Sequence, residues 1–582
     1  MFRHRWARAL RGISMASASI ALVGGALAAP AYAGTAPQPG SNPAVDYQDP
    51  IDALPPVSRP DTKHCSVTAV DHDFGYTLGG PPYTTTLTPP EKCKGPWNKV
   101  VLDWSGSVKG RQYDRLAAVF IGGAEVFRTS TAEPDDDGIS WHVAKDITDF
   151  APLLKDPQKL QLELGNVVNE TYTGVYKIKL TVTYYQADKR HPAATTADSI
   201  VPLGDTGSGG APWMNVGKGG STRTEVTFPR NLTNARLEVY ARGGGCDEQW
   251  FDAVPSDLAE TAPDYLCGGG PYREVQVAVD GQPAGLAQPY PVVYSGGIVP
   301  TLWRPIPAID QFRTEAYDID LTPFAGLLAD GEPHAISITP YGAADGWTVD
   351  GSLFLDTDAH ASRTSGKVTT NTLSHTPVVK TVQTPGKDGS TDVSVSTGRS
   401  WKISGYVETS KGRVTTTVEQ KFAYTNTDNV SRTGSHQVMH QRDHGSTTVT
   451  TRTRGRTDAQ RHTWSYPIDV DMDIPVYGDY NNYDIRADVT QRRVLVDTSR
   501  KGSAHAWHTD AVTDDTVDST GNLVRTGGVV QSADGASTEK YRGTTDTGAC
   551  YSRSLTTAHG WVTRDRQSHC RVADVVRDAL KG

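Results

Sequence analysis

Beyond residue 34, apolar positions come in short runs or in alternation with polar ones, and rarely at helical spacing. The segments "NKVVLDWSG", "YKIKLTVTYYQ", "NARLEVYARG", "REVQVAVDGQ", "HAISITPYG" and "GSLFLDTD" are bounded by Gly, Pro, Asp or Asn and read as strands. Leu116 to Ile121 is an unbroken apolar run closed by Gly122 and Gly123, the pattern of a strand buried on both faces. Two stretches suggest helix: Val572 to Leu580 and the neighbourhood of Asp149 to Leu154. Many short strands with frequent turn signals predict an all-β protein built of sandwiches, and the chain is too long for one.

Two shifts in composition divide it. The segment "QADKRHPAATTADSIVPLGDTGSGGAPW" separates two strand-rich blocks. After "GSLFLDTD" Thr, Ser and charged residues begin to alternate with Val, and "KGRVTTTVEQKFAYTN" and "GSTTVTTRTRGRT" read as long hairpin strands. The expected divisions are residues 1–33, 34–190, 200–358 and 359–582.

Residues 1–33 read as a signal peptide. Arg3, Arg5, Arg8 and Arg11 precede an apolar stretch from Ile13 to Ala29, and Ala31-Tyr32-Ala33 offers a cleavage site. Secretion is therefore expected, with no membrane partner after cleavage. Six cysteines lie in three close pairs, so nearest-neighbour disulfides are expected: Cys65–Cys93, Cys246–Cys267 and Cys550–Cys570. The absence of a C-x-x-C spacing disfavours zinc and thiol redox chemistry. A net charge of -9 without a basic cluster argues against a nucleic-acid partner.

Candidate chemistry gathers in two places. The first block holds Asp103, Trp104, Asp114, Arg115, "RTSTAEPDDDGISW" and "GNVVNETYTGVY"; the second holds "RGGGCDEQWFD", "CGGGPYREV" and "YSGGIVPTLWRPI". Gly turns mixed with carboxylates, Arg and Trp suit a carbohydrate site, where rings stack on sugar faces and fixed polar groups bond hydroxyls. A Cys246–Cys267 bridge would hold the base of a glycine-flanked loop carrying Asp247, Glu248 and Trp250, with Glu274 just beyond. Asp135, Asp136 and Asp137 read as a solvated turn. Asp469, Asp471 and Asp473, and separately His436, His440 and His444, alternate along strands as exposed faces do. No metal and no cofactor are expected.

The stretches "QYDRLAAVFIGGAEVFRTSTAEPDDDGISWHVAKDITDFAPLL", "LELGNVVNETYTGVYKIKLTVTYY" and "REVQVAVDGQPAGLAQPYPVVYSGGIVPTLWRPIPAIDQF" closely resemble the peptide-N-glycosidase A family. The resemblance covers about residues 60 to 360 and weakens after about residue 370. It implies two adjacent antiparallel jelly-roll sandwiches with a site in the cleft between them; the strand pattern after residue 359 adds a further β-rich region. The resemblance also implies hydrolysis of the amide between Asn and the first N-acetylglucosamine of N-linked glycopeptides or glycoproteins. A monomer is expected. Asp114 matches the principal catalytic carboxylate and Arg115 the residue holding substrate oxygens. Glu248 is expected as the second carboxylate, and Glu133 and Glu274 as supporting ones. Trp141, Asp247, Trp250, Trp303 and Arg304 are expected to shape the sugar subsites. The loop departs from the family pattern at Gln249, where Phe is expected. Clustered carboxylates raise one another's pKa, so activity at acidic pH is expected. A glycosidase with paired carboxylates and a non-catalytic lectin are the competing readings; the missing nucleophile constellation disfavours a peptidase.

Overall fold

The computed structural model describes residues 46–581, apart from 136, 205–208, 478–480, 503 and 505. The expected signal peptide and Asp136 lie outside the described residues. Among those described, no helix is long and apolar enough to cross a membrane.

The chain is all-β, and its sheets follow one another in sequence. One four-stranded sheet runs in the order His64–Phe74, Tyr176–Gln186, Trp97–Val108, Ile139–Asp146. A second runs Tyr83–Leu87, Gln158–Leu164, Leu116–Ile121, Ala124–Ser130. The alternate residues that period-two geometry sends inward from both, among them Trp104, Val119, Leu162, Leu180 and Tyr184, form one core. Leu116–Ile121 is buried from its second residue onward, as its unbroken apolar run requires.

Strands between Ser199 and Thr357 build a five-stranded and a four-stranded sheet in the same manner. From Ser365 to Gln567 the chain forms a single twelve-stranded sheet, in which Thr391–Thr409, Gly412–Val430 and His508–Thr526 each run 19 residues. Its inner face shares a core with the second block: Val418, Phe422, Tyr424 and Met439 belong to the same cluster as Val277, Leu286 and Leu302. Polar residues on that face satisfy loop carbonyls of the second block. Asn426 donates to Phe251 O (2.8 Å), Tyr424 to Pro271 O (2.7 Å) and Gln491 to Pro291 O (2.8 Å). On the outer face, His440 and Asp469 pair across neighbouring strands at 2.7 Å.

The expected helix is present as Val572–Ala579, with Val575 and Ala579 packed on Val494, Val496 and Val512. The stretch near Asp149 forms only two 3-10 turns, Thr148–Phe150 and Leu153–Lys155. Pro152 lies between them and cannot continue a hydrogen-bonded helix. All three expected disulfides are present, with Cα separations of 5.9, 5.5 and 5.7 Å.

A buried ion pair joins the first two blocks. Arg128 and Glu125 are fully buried, the guanidinium donates to both carboxylate oxygens (2.6 and 2.7 Å), and Arg128 Nη1 reaches Thr348 O at 3.2 Å. An isolated bridge from Arg128 to Thr314 lies at the same junction. Arg128→Met should destabilise the protein by about 3–5 kcal/mol, because Glu125 is left buried without its cation. Urea denaturation at neutral pH would read this directly.

Candidate active site

The Asp114-Arg115 pair stands at the mouth of strand Leu116–Ile121 because the backbone pairing continues past the strand end. Arg115 N donates to Thr131 Oγ1 (2.8 Å), and Thr131 N donates to Arg115 O (2.9 Å). Both side chains are buried. Arg115 is held by neutral acceptors, Gln112 Oε1 at 2.5 Å and Asn166 Oδ1 at 3.3 Å, which orient the guanidinium without neutralising it. Asn166 is itself anchored to Phe74 O and Gly174 O.

Glu133 follows the neighbouring strand. Its Oε2 accepts from Arg304 Nη2 at 2.6 Å, and Arg304 lies over the Tyr47 ring at 4.9 Å. The Tyr47 hydroxyl donates to Glu133 O, so the segment before the first strand closes one side of the site.

Glu248 arrives from the second block, just after the 3-10 turn Gly245–Asp247. Its Oε2 accepts from Arg242 Nη2 at 2.7 Å, and Arg242 lies over Tyr294 at 4.6 Å. Burial, followed by the negative charges of Glu133 and Glu248, pushes the Asp114 carboxyl up to about 8, while Arg242 and Arg115 oppose the shift. Burial also raises Glu133, against Arg304 and Arg115. Both shifts favour the protonated form of these acids. Gly296 closes the group: a Cβ there would stand 2.8 Å from Glu133 Oε1 and 3.4 Å from Asp114 Oδ1. Only glycine lets the backbone lie so close to both acids.

The structure thus brings Asp114, Arg115, Glu133, Glu248 and Arg304 together, and adds Arg242, Tyr294, Gly296 and Tyr47. Arg242 and Tyr294 open stretches that the sequence already singles out; nothing in the sequence marks Tyr47.

The other expected residues sit apart from this group, and each is buried and held by contacts within the protein. Asp247 is fully buried and accepts from Arg273 (2.6 Å), Trp347 (2.5 Å) and Ala344 N (3.0 Å). Glu274 is tied to Arg399 and Gln276, each at 2.7 Å, and to the Tyr272 hydroxyl. Trp250 is buried beside Phe251 in the second block's core. Trp303 is buried and donates Nε1 to Gly297 O at 2.9 Å. Trp141 is buried between Phe312 and Tyr176 and covers Gly106. Among the described residues, no group of three or more His, Cys, Asp or Glu is placed to hold a metal ion.

Cys246–Cys267 closes the loop that carries Glu248. The double variant Cys246→Ser/Cys267→Ser should lose about 3 kcal/mol of stability. It should also lose more activity per degree of Tm lowering than Cys550→Ser/Cys570→Ser, whose bridge lies away from the carboxylates.

Residues 54–374 match the model of the family described as peptide N-acetyl-beta-D-glucosaminyl asparaginase amidase A, and residues 392–468 match that of the PNGase A C-terminal domain. The likeness thus extends beyond the point where the sequence motifs fade. The peptide-N4-(N-acetyl-beta-glucosaminyl)asparagine amidase A of Prunus dulcis is 35% identical over 403 residues, 66% of this chain and 70% of that protein. PNGase F of Flavobacterium meningosepticum is similar in structure at a TM-score of 0.33 and 14% identity, covering 51% of this chain and 96% of that one. PNGF-II is similar at 0.37 and 13%, covering 51% and 66%. By the family match over more than half its length and the relative at 35% identity, the chain belongs to the peptide N-acetyl-beta-D-glucosaminyl asparaginase amidase A family.

Proposed function

We propose that the protein hydrolyses the side-chain amide between Asn and the first N-acetylglucosamine of N-linked glycopeptides, releasing the glycan as a glycosylamine and leaving Asp. One observation carries this reading beyond family membership. Asp114, Glu133 and Glu248 converge from two blocks with three guanidinium groups, and burial with the neighbouring acids raises the carboxyl at the centre.

Amide hydrolysis needs a base for water, a donor for the oxyanion and a proton for the departing nitrogen. Glu248, held by Arg242 at 2.7 Å, takes a proton from the attacking water. The oxygen bonds to the amide carbon, and Arg115 stabilises the oxyanion. The C–N bond then breaks as Asp114 gives its proton to the nitrogen; proton exchange with solvent resets both acids. Glu133 and Arg304 hold the sugar side of the cleft. Asp247, Glu274, Trp141, Trp250 and Trp303 act as positioning residues behind it.

The same proposal makes the protein a secreted monomer cleaved near Ala33, with jelly-roll units over 34–190 and 200–358. Residues 359–582 brace the loops of the second unit, a role supported by the bonds from Asn426, Tyr424 and Gln491.

Mass spectrometry of a defined N-glycopeptide after incubation with the protein tests the reaction. Loss of the whole glycan with Asn converted to Asp is the expected result. One sugar left on intact Asn would make the protein a glycosidase, and a bound but unchanged substrate would make it a lectin.

A further inference from the structure

We infer that Gly535 and Gly521 of the twelve-stranded sheet are positioning residues for Arg304, an assignment that rests on the amidase reading above. The two glycines stand directly opposite one another on His508–Thr526 and its neighbour Val529–Thr544, well inside both strands. Asp534-Gly535 is a dipeptide that ordinarily turns the chain, yet here it lies in mid-strand. Neither glycine has a positive φ, so the backbone conformation does not require them. Glycine inside a strand weakens it and marks a place where another backbone comes close.

The backbone that comes close is the 3-10 turn Pro300–Trp303 of the second block. A Cβ at Gly535 would overlap Thr301 O and stand 2.9 Å from Thr301 C. One at Gly521 would stand 2.6 Å from Thr301 Oγ1 and 3.0 Å from Leu302 N. Hydrogen bonds seat the turn in this notch: Thr301 Oγ1 donates to Asn522 O (3.0 Å), and Ser537 Oγ donates to Leu302 O (2.9 Å). The turn is also tied within its own block, since Leu302 N donates to Val299 O (3.1 Å) and Trp303 Nε1 to Gly297 O (2.9 Å). Ile298, just before it, has a φ of 64°, which a β-branched residue holds only where its surroundings impose it.

Arg304 is the residue next after the turn, and its Nη2 meets Glu133 Oε2 at 2.6 Å. Pro305 O then accepts from Ile51 N (3.1 Å), which fixes the chain beyond it. The depth of the notch therefore sets how far the guanidinium reaches toward the carboxylates. A methyl at 535 would drive the Thr301 carbonyl back by about 1 Å, and a misplacement of that size costs about 100-fold in rate even from a mutation far from the chemistry. The same sheet supplies a control. Gly405 seats a different turn, Thr322–Phe324, and a Cβ there would overlap Pro323 O and stand 2.7 Å from its carbon. That turn carries none of the site residues.

The test measures Tm, and kcat/KM on an N-glycopeptide, for wild type, Gly535→Ala, Arg304→Lys, their double variant and Gly405→Ala. Gly535→Ala should lose roughly 10- to 100-fold in kcat/KM. Gly405→Ala should lower Tm and leave kcat/KM near the wild-type value. Arg304→Lys keeps a cation for Glu133 but replaces the rigid fork by a point charge on a flexible stem, which follows the carboxylate wherever the turn lies. Adding Gly535→Ala to it should cost no more than about threefold further, so that the two losses do not multiply. Should Gly535→Ala fail to fold, Gly521→Ala, whose methyl meets the Thr301 hydroxyl, takes its place in the same cycle. Losses that multiply in the double variant would overturn the assignment, as would a glycine variant no less active than Gly405→Ala at equal loss of Tm. Wild type that converts no glycosylated Asn to Asp would overturn the amidase reading first, and this one with it.

Discussion

Asp114→Asn is expected to lower kcat by roughly 10²- to 10⁴-fold, the usual contribution of a positioned acid or base, with glycopeptide affinity nearly unchanged. The substitution keeps the shape of the protonated carboxyl while removing the proton that the leaving nitrogen needs. Wild-type kcat/KM should fall as pH rises through about 8, where the Asp114 carboxyl ionises. Stability gives a second readout with a fixed sign. The carboxyl's ordinary value of 3.8 is raised to about 8 in the folded protein, so folding takes up a proton between those limits. The stability this contributes is fully present below 3.8 and is lost as pH rises to about 8. Asn does not titrate. The variant should therefore gain on wild type with rising pH, by at most about 1.4 kcal/mol per unit. Urea denaturation of both proteins across this range would show the difference; full activity in the variant would remove Asp114 from the chemistry.

Glu248→Gln should combine a comparable loss of kcat with a loss of stability. It leaves Arg242, whose side chain is 2% exposed, without its carboxylate partner at 2.7 Å, and breaking such a buried pair costs about 3–5 kcal/mol. The double variant Glu248→Gln/Arg242→Met should recover much of the stability and none of the activity, which separates catalysis from folding. The negative charge of Glu248 is one of the influences that raise Asp114. Removing it should therefore move the alkaline limb of the residual activity below about 8. A limb that stays in place would mean that Glu248 and Asp114 do not sense each other.

Residues 359–582 illustrate how far local pattern reaches. The alternation of Val and Thr with charged residues predicts long strands there, and the 19-residue strands are present. Whether those strands form a separate module could not be read from alternation. It depends on what their inner face meets, and that face meets the loops of the second block, burying Tyr424 and Gln491 against their carbonyls.

By itself the sequence determined the all-β class, the neighbouring disulfides and, through motif resemblance, the carboxylates to consider. These follow from period-two patterning and from spacings of a few tens of residues, both carried by contiguous chain. Only the tertiary structure decided which acids meet. Asp247 and Glu248 are adjacent in the chain, yet the 3-10 turn at Gly245–Asp247 sends one to Arg273 and Trp347 and the other to Arg242 beside Asp114. Glu274 follows a promising motif and is drawn away by Arg399, 125 residues later. Tyr47 and Gly296 join the site from opposite directions along the chain, without a spacing that relates them to Asp114. Local pattern fixes the face on which a side chain stands, but its partner is chosen by packing between segments far apart in the chain.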